Sequence, residues 1–273
     1  MCLLVFSWQP GAAETLVLAG NRDEFHERPA APAGWWRNGT LGGRDLRAGG
    51  TWLAAHASGR FAVVTNFREA IEEGRGPRSR GELVTRYLDA SEGPMAFAAE
   101  LAGRGNAYAG FNLLLGDPGE LVYVSNRGRG PERLSAGLYG LSNHLLDTPW
   151  PKLKRTRERF ARLLAPATRA GAGAGAGAAA AAGQETDTGA LLKMLADRTP
   201  TCDDELPDTG IGVERERLLS SPFIVSPWYG TRCSTVLKIL QENVMEFTER
   251  RFDPTGAACG ESQFRFRHSG GVS

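Results

Sequence analysis

Cysteine stands at position 2, ahead of the apolar run Leu3-Leu4-Val5-Phe6-Ser7-Trp8, which reads as a buried strand. Removal of the initiator methionine, which a small second residue permits, leaves Cys2 with a thiol and a free α-amino group. Such an amine titrates near ~8 and takes up the thiol proton, so nucleophile and base come on one residue. Taken alone, a cysteine opening a strand is more often a small hydrophobe. Four further places end an apolar run in polar residues of catalytic type: Asn21-Arg22-Asp23-Glu24, Thr65-Asn66, Ser142-Asn143 and Thr231-Arg232-Cys233. An N-terminal thiol nucleophile needs an arginine to hold its charge, a carboxylate to orient its amine and amides to cradle an oxyanion. Cys2, Arg22, Asp23, Asn66, Asn143 and Arg232 supply that set. Each has a plainer alternative, as a turn, a surface ion pair or a core contact.

The bulk of the chain narrows the classes of function. Its 273 residues carry a net charge of +1, which offers no general attraction for nucleic acid or a membrane surface. Cys2, Cys202, Cys233 and Cys259 lie far apart, a pattern that suits a reducing cytoplasm and argues against disulfides or structural zinc. The four histidines are equally scattered, so neither a metal nor a cofactor is expected. No apolar run approaches the ~20 residues of a membrane span. The first residues lack the basic stretch and cleavage site of a signal peptide, so Leu3 to Trp8 reads as structure.

Positioning those residues falls to a strand-rich framework. Leu3 to Trp8 and Thr15 to Ala19 form a hairpin that delivers Asn21 to Glu24 at its end. Residues 27 to 40 read as a loop anchored by tryptophans, and strands follow at Trp52 to Ala55 and Arg60 to Asn66. The polar stretch Ile71 to Gly81 reads as an exposed loop. Helical spacing covers Glu82 to Ala90 and Met95 to Ala102. Strands return at Phe111 to Leu115, Leu121 to Ser125 and Leu138 to Leu141. Trp150-Pro151 opens a basic amphipathic helix with a solvated charged face, and Thr188 to Ala196 is a short helix. Phe223 to Val225, Thr235 to Leu240 and Val244 to Arg251 close the strand list. The Gly-Ala segment at 170–183 is low complexity, expected to be a mobile insertion whose deletion changes stability by well under ~1 kcal/mol. The expectation is one domain over 1–252 with a loosely packed tail over 253–273, ordered only from Gln263 to Arg267.

Met1-Cys2-Leu3-Leu4, Ala19-Gly20-Asn21-Arg22-Asp23-Glu24, Gly42-Gly43-Arg44-Asp45, Gly49-Gly50-Thr51-Trp52-Leu53, Thr65-Asn66, Leu141-Ser142-Asn143 and Tyr229-Gly230-Thr231-Arg232 occur in this order. This set resembles the NRDE family, that of transport and Golgi organisation protein two. The family in turn resembles the N-terminal nucleophile hydrolases of the bile-salt hydrolase and penicillin V acylase kind. That resemblance implies an α+β fold, a four-layer αββα sandwich of two antiparallel sheets covered by helices. It implies a cysteine amidohydrolase acting on a small amide or acyl compound, with Arg22 and Arg232 holding charge and Asn66 and Asn143 binding the oxyanion. In those acylases the arginine and aspartate are three residues apart, whereas Arg22 and Asp23 are adjacent, which opens the carboxylate role to Glu24 as well. The family's links to secretory-pathway organisation, haem trafficking and acyl-CoA or lipid handling imply a rival reading. In that reading the pocket carries haem, an acyl-CoA or a lipid without turnover.

Overall fold

The computed structural model describes residues 2–70, 78–164 and 185–269. The Gly-Ala segment at 170–183, and most of the loop expected at 71–81, lie outside them. The strands are β1 (Cys2–Trp8), β2 (Glu14–Phe25), β3 (Ala30–Trp35), β4 (Thr40–Asp45), β5 (Leu53–His56) and β6 (Phe61–Asn66). They continue with β7 (Phe111–Gly116), β8 (Leu121–Ser125), β9 (Glu132–Arg133), β10 (Gly137–Leu141), β11 (Tyr229–Leu240), β12 (Val244–Phe252) and β13 (Ala258–Arg267). The helices are α1 (Gly81–Asp89), α2 (Pro94–Ala102), α3 (Pro151–Leu164), α4 (Thr188–Leu195) and α5 (Val213–Leu218).

Two antiparallel sheets result, one ordered β10-β1-β2-β11-β12-β13 and the other β3-β4-β5-β6-β7-β8-β9. The period-2 alternation of side chains sorts the apolar residues into three layers of core. Leu4, Phe6, Leu16, Leu18, Phe61 and Leu114 fill the space between the sheets. Leu3, Val5, Val17 and Ala19 face the other way and pack under Leu153, Phe160 and Leu191 of α3 and α4. Ala62, Val64 and Leu113 pack under Leu83, Tyr87 and Phe97 of α1 and α2. The molecule is therefore a four-layer α+β sandwich, helices on two stacked sheets. Both faces of β1 are buried, which is why its sequence is a nearly unbroken apolar run.

Three segments differ from the sequence expectation. The stretch after residue 252 is not loosely packed over its described residues: Ala258 to Arg267 pairs with β12 along its length, from Val244 opposite Arg267 to Phe252 opposite Ala258. Its alternation of exposed and half-buried residues is that of an edge strand, which carries too little apolar signal to be read as one. Within the stretch 27–40 expected as a loop, Ala30 to Trp35 form β3, paired with β4 from Ala30 opposite Asp45 to Trp35 opposite Leu41. Gly42 and Gly43 sit inside β4. A Cβ on Gly42 would meet the Leu53 carbonyl oxygen at 2.8 Å, so the close approach of β5 selects glycine there. Phe223 to Val225 is not a strand; Val225 makes only an isolated bridge to Gly230.

Glycine at position 50 has the most stringent role of the set. A Cβ there would stand 2.5 Å from the carbonyl carbon of Gly81 and 2.6 Å from its oxygen. The start of α1 thus lies against the backbone that leads into β5, and Thr51 donates its amide to the Gly81 carbonyl. Backbone cannot yield as a flexible side chain does. Gly50→Ala is expected to cost about 1–3 kcal/mol, the usual range for overpacking. Chemical denaturation checks this, and an unchanged midpoint would show that α1 is free to move away.

Candidate active site

Strand register decides which residues can meet. Residues directly opposite in an antiparallel pair project to the same face. Arg22 stands opposite Cys2 on one side and Cys233 on the other, so these three share the face between the sheets. Asn21 stands opposite Leu3 and Ser234, and Asp23 opposite Thr231, so these project towards the helix layer. Thr231 and Cys233 are two residues apart yet serve opposite faces. The pairing shifts register between them, a bulge that takes up Arg232 as the extra residue.

On the inter-sheet face, Cys2, Arg22, Glu24, Asn66, Arg232 and Cys233 line a cavity of about 1100 Å³. Glu24 lies 3.6 Å from Arg22 and 3.8 Å from Arg28, so it is tied into an arginine cluster. Arg28 in turn donates Nε and Nη2 to Oδ2 of Asp45, at 2.8 and 2.6 Å, which accounts for the aspartate of the Gly-Gly-Arg-Asp stretch. Arg232 donates Nη1 to the carbonyls of Phe25, His26 and Arg28 at 3.0 to 3.2 Å. Its guanidinium therefore holds the end of β2 and the turn after it.

Asn143 ties the nucleophile candidate to the rest. It is fully buried and adopts φ 54°, a left-handed conformation that asparagine tolerates better than most residues. Its Oδ1 accepts the Cys2 backbone N–H at 3.3 Å, and its Nδ2 donates to the Asn66 carbonyl at 3.0 Å. Its own carbonyl accepts the Arg68 amide at 2.6 Å. The Asn143 side chain thus spans from β1 to β6, with its oxygen on the Cys2 nitrogen and its nitrogen on the Asn66 carbonyl. The Cys2 thiol is pushed up from its ordinary pKa by burial, and the Asp23 charge adds to this while Arg22 opposes it. A thiol that is neutral at rest needs a base to take its proton as it attacks. No histidine among the described residues lines the cavity.

The helix-side face carries a second, more deeply buried group of charges. Asp23 is buried and accepts the Thr231 hydroxyl at 2.7 Å. Burial raises its pKa, against the pull of Lys152, the Thr231 hydrogen bond and Arg22. Lys152, in the first turn of α3, is likewise buried and donates Nζ to the Leu219 carbonyl at 2.7 Å. Burial, reinforced by Arg68, pushes it down to about 7. Arg68 forms a buried ion pair with Glu216 at 2.6 Å and stacks over the Trp150 ring at 4.6 Å. Asn21 has a structural part: Nδ2 donates to the carbonyls of Leu195 and Pro222 at 2.9 Å, while Oδ1 accepts the Ser234 hydroxyl.

Cys2, Arg22, Asp23, Glu24, Asn66, Asn143 and Arg232 thus converge on one region, with Arg232 turned to the backbone beside it. Sequence reading does not single out Arg68, Lys152 or Glu216. Lys152 belonged to a helix read as having a solvated charged face, and burial corrects that at this position. A signal was present in the spacing: Lys152, Thr156 and Phe160 recur at four-residue intervals on the buried face of α3. Among the described residues no group of three or more His, Cys, Asp or Glu side chains is placed to hold a metal ion. No described helix is long and apolar enough to cross a membrane.

Residues 1–254 match the family described as Transport and Golgi organisation 2. The chain is 34% identical to the Transport and Golgi organization protein 2 homolog of Bos taurus, over 98% of this chain and all of that one. Identity to the Homo sapiens homolog is 32%, over 92% of each chain, and to the Drosophila melanogaster protein 29%, over 94% of this chain and 95% of that one. Among solved structures, a mutant conjugated bile acid hydrolase from Clostridium perfringens aligns over 100% of this chain and 98% of its own, at 9% identity and a TM-score of 0.40. A Caenorhabditis elegans orthologue of N-acylethanolamine-hydrolyzing acid amidase aligns over 86% and 92%, at 12% identity and a TM-score of 0.35. The two sheets and their helix layers, rather than these scores, carry the fold.

Proposed function

The chain belongs to the Transport and Golgi organisation 2 family, and on that premise we propose that it is an N-terminal cysteine hydrolase of a small amide or related acyl compound. One observation carries the reading: the Cys2 backbone nitrogen is fixed by Asn143, with Arg22 on the cavity face of the adjacent strand and Asp23 buried on the other face. Loss of Met1 turns that nitrogen into an α-amine already held in place. Sγ of Cys2 attacks the substrate carbonyl carbon, and the α-amine takes the thiol proton. The amine then gives that proton to the leaving nitrogen as the C–N bond breaks, leaving a thioester on Cys2. A water, deprotonated by the same amine, attacks the thioester; the acid departs and the thiol is restored.

Asp23, rather than Glu24, takes the carboxylate role. It is buried and fixed by Thr231, while Glu24 is committed to Arg22 and Arg28. Arg22 holds charge at the nucleophile, Asn66 is the amide left for the oxyanion, and Asn143 and Arg232 position the backbone. Asn143→Ala removes the partner of the Cys2 nitrogen and places alanine at a left-handed φ. It is expected to lower kcat at least ~10-fold with KM little changed, the pattern of a lost positioning contact. Steady-state kinetics checks this, and a fall in affinity alone would assign Asn143 to substrate binding.

A second reading is a carrier that holds haem, an acyl-CoA or a lipid without turnover. The cavity favours it in one respect: its described lining includes nine arginines against six carboxylates, a surplus suited to an anionic ligand. Replacement of Cys2 with serine separates the two readings.

A further inference from the structure

Arg22 does not stand alone on the cavity face of the first sheet. Across the strands, Cys2 is opposite Arg22, Arg22 opposite Cys233, Cys233 opposite Arg251, and Arg251 opposite Gly260. Residues directly opposite in antiparallel pairs share a face, and Cys2, Arg22, Cys233 and Arg251 all line the cavity. The row from Cys2 on β1 to Arg251 on β12 crosses three interstrand spacings, roughly 14 Å. Resting on the hydrolase reading, we propose that Arg251 is a specificity-determining residue that binds a carboxylate at the far end of the substrate. The substrate class is then a long-chain amide that ends in an acid. An extended chain advances ~3.5 Å for every three bonded atoms, so about twelve atoms separate the scissile carbonyl from that acid.

Other arginines of the cavity are already engaged. Arg22 lies 3.6 Å from Glu24, Arg28 is held by Asp45, Arg127 donates to Glu69 at 2.8 and 2.9 Å, and Arg232 is taken up by backbone carbonyls. Arg47 is exposed, so water satisfies it. Arg251 differs from all of these. It makes no hydrogen bond or ion pair with a described residue, and its Nε is buried without a partner. A buried donor left so carries its desolvation cost uncompensated until a ligand supplies the acceptor. The place of the guanidinium is set by Gly260. A Cβ there would stand 2.9 Å from Cζ of Arg251 and 3.2 Å from its Nε, so glycine on β13 leaves the group room to lie against the sheet. Leaning that way, it leaves space for a carboxylate on its Cys2 side. Glu249, two residues back on the same face of β12, does not close the pair. Its Oε1 accepts the Ala33 amide at 2.8 Å, and burial pushes its carboxyl up, against the pull of that amide and of Arg251. The guanidinium fork matches a carboxylate bidentately, and one unpaired cation answers one negative charge rather than the two of a phosphate.

Covalent labels read this without knowledge of the natural substrate. N-alkyl iodoacetamides alkylate the Cys2 thiol with loss of iodide, and each is used as a terminal carboxylate and as its neutral methyl ester, with chains of about 4 and about 12 atoms. Peptide mapping reads Cys2 apart from the exposed Cys202 and Cys259. At low concentration the long carboxylate should label Cys2 at least about tenfold faster than its ester, the scale of one charge-assisted pair. Arg251→Met should abolish that advantage, and Arg251→Lys should keep part of it. The short carboxylate reaches only as far as Arg22, so its rate should be the same in wild type and variant, which also shows that the variant is folded. If the methionine variant fails to fold, the acid-to-ester ratio in the wild type decides alone, and it should be larger for the long chain than for the short one. Equal rates for the long acid and its ester, or an advantage that survives Arg251→Met, overturns the proposal. A long phosphonate that outpaces the carboxylate overturns it too. Wild-type protein that retains Met1, or whose Cys2 no label reaches, sinks the functional reading and this inference with it. Loss of Met1 with Cys2 labelled at rates indifferent to the acid sinks the inference alone.

Discussion

Cys2→Ser should lower turnover by ~10³-fold or more while substrate affinity stays within a few-fold. The substitution keeps the shape of the side chain and the backbone nitrogen that Asn143 holds. It replaces a thiol by a hydroxyl of much higher pKa beside the same amine, so the loss falls on the transition state and little on ground-state binding. Arg22→Ala makes an informative companion. Arg22 stands opposite Cys2 in the sheet and lines the cavity, so its removal should weaken binding and turnover together. A carrier behaves differently: Cys2→Ser would leave acyl-CoA or lipid binding intact, and no variant would form product. Haem would give a third outcome, because serine is a poor iron ligand and the thiolate-ligated absorbance band would vanish.

Arg68→Met should destabilise the protein by about 3–5 kcal/mol, the cost of leaving one member of a buried ion pair uncompensated. The Arg68 and Glu216 side chains are 2% and 4% exposed and meet at 2.6 Å. Glu216 also accepts the Thr209 amide at 3.0 Å and its hydroxyl at 2.5 Å, so the carboxylate left behind would stay held in its buried place without its cation. The double variant Arg68→Met/Glu216→Leu removes both charges and should recover much of the loss, because the desolvation cost disappears with the attraction. Denaturant unfolding of the three proteins tests this. A single variant that loses less than ~1 kcal/mol would mean that water reaches the pair. Stability and chemistry meet at this residue, since the Arg68 amide also holds the Asn143 carbonyl.

The sequence carries most of the fold in its alternation, and it carries the candidate site in its strand ends. Leu3 to Trp8 is readable because both faces of β1 are buried. Asn21 to Glu24 is readable as a group because four polar residues end an apolar strand, but which of them face the cavity depends on register with β1 and β11. The register with β11, and the bulge at Arg232, arise from contacts more than 200 residues distant in sequence, Asn21 to Ser234 and Asp23 to Thr231 among them. Non-local packing also hides Lys152, Arg68 and Glu216: each is an ordinary charged residue of a helix or loop until the fold buries it against Leu219 or its ion-pair partner. β13 is legible only in its second half, from Gln263 to Arg267, for the opposite reason. It is an edge strand whose alternate residues remain exposed, so the pairing is written in backbone hydrogen bonds and hardly in side-chain type.

The central claim is that processing converts Cys2 into a nucleophile with its own base, and intact mass tests it most directly. Purified protein is weighed alone and after exposure to a substrate-like thioester or β-lactone, and the adduct is located by peptide mapping. The account predicts loss of Met1 and a single acyl adduct on the Cys2 peptide, absent in Cys2→Ser and released again over time by water. Protein that retains Met1 and leaves Cys2 unmodified, with adducts only on the exposed Cys202 and Cys259, would contradict it.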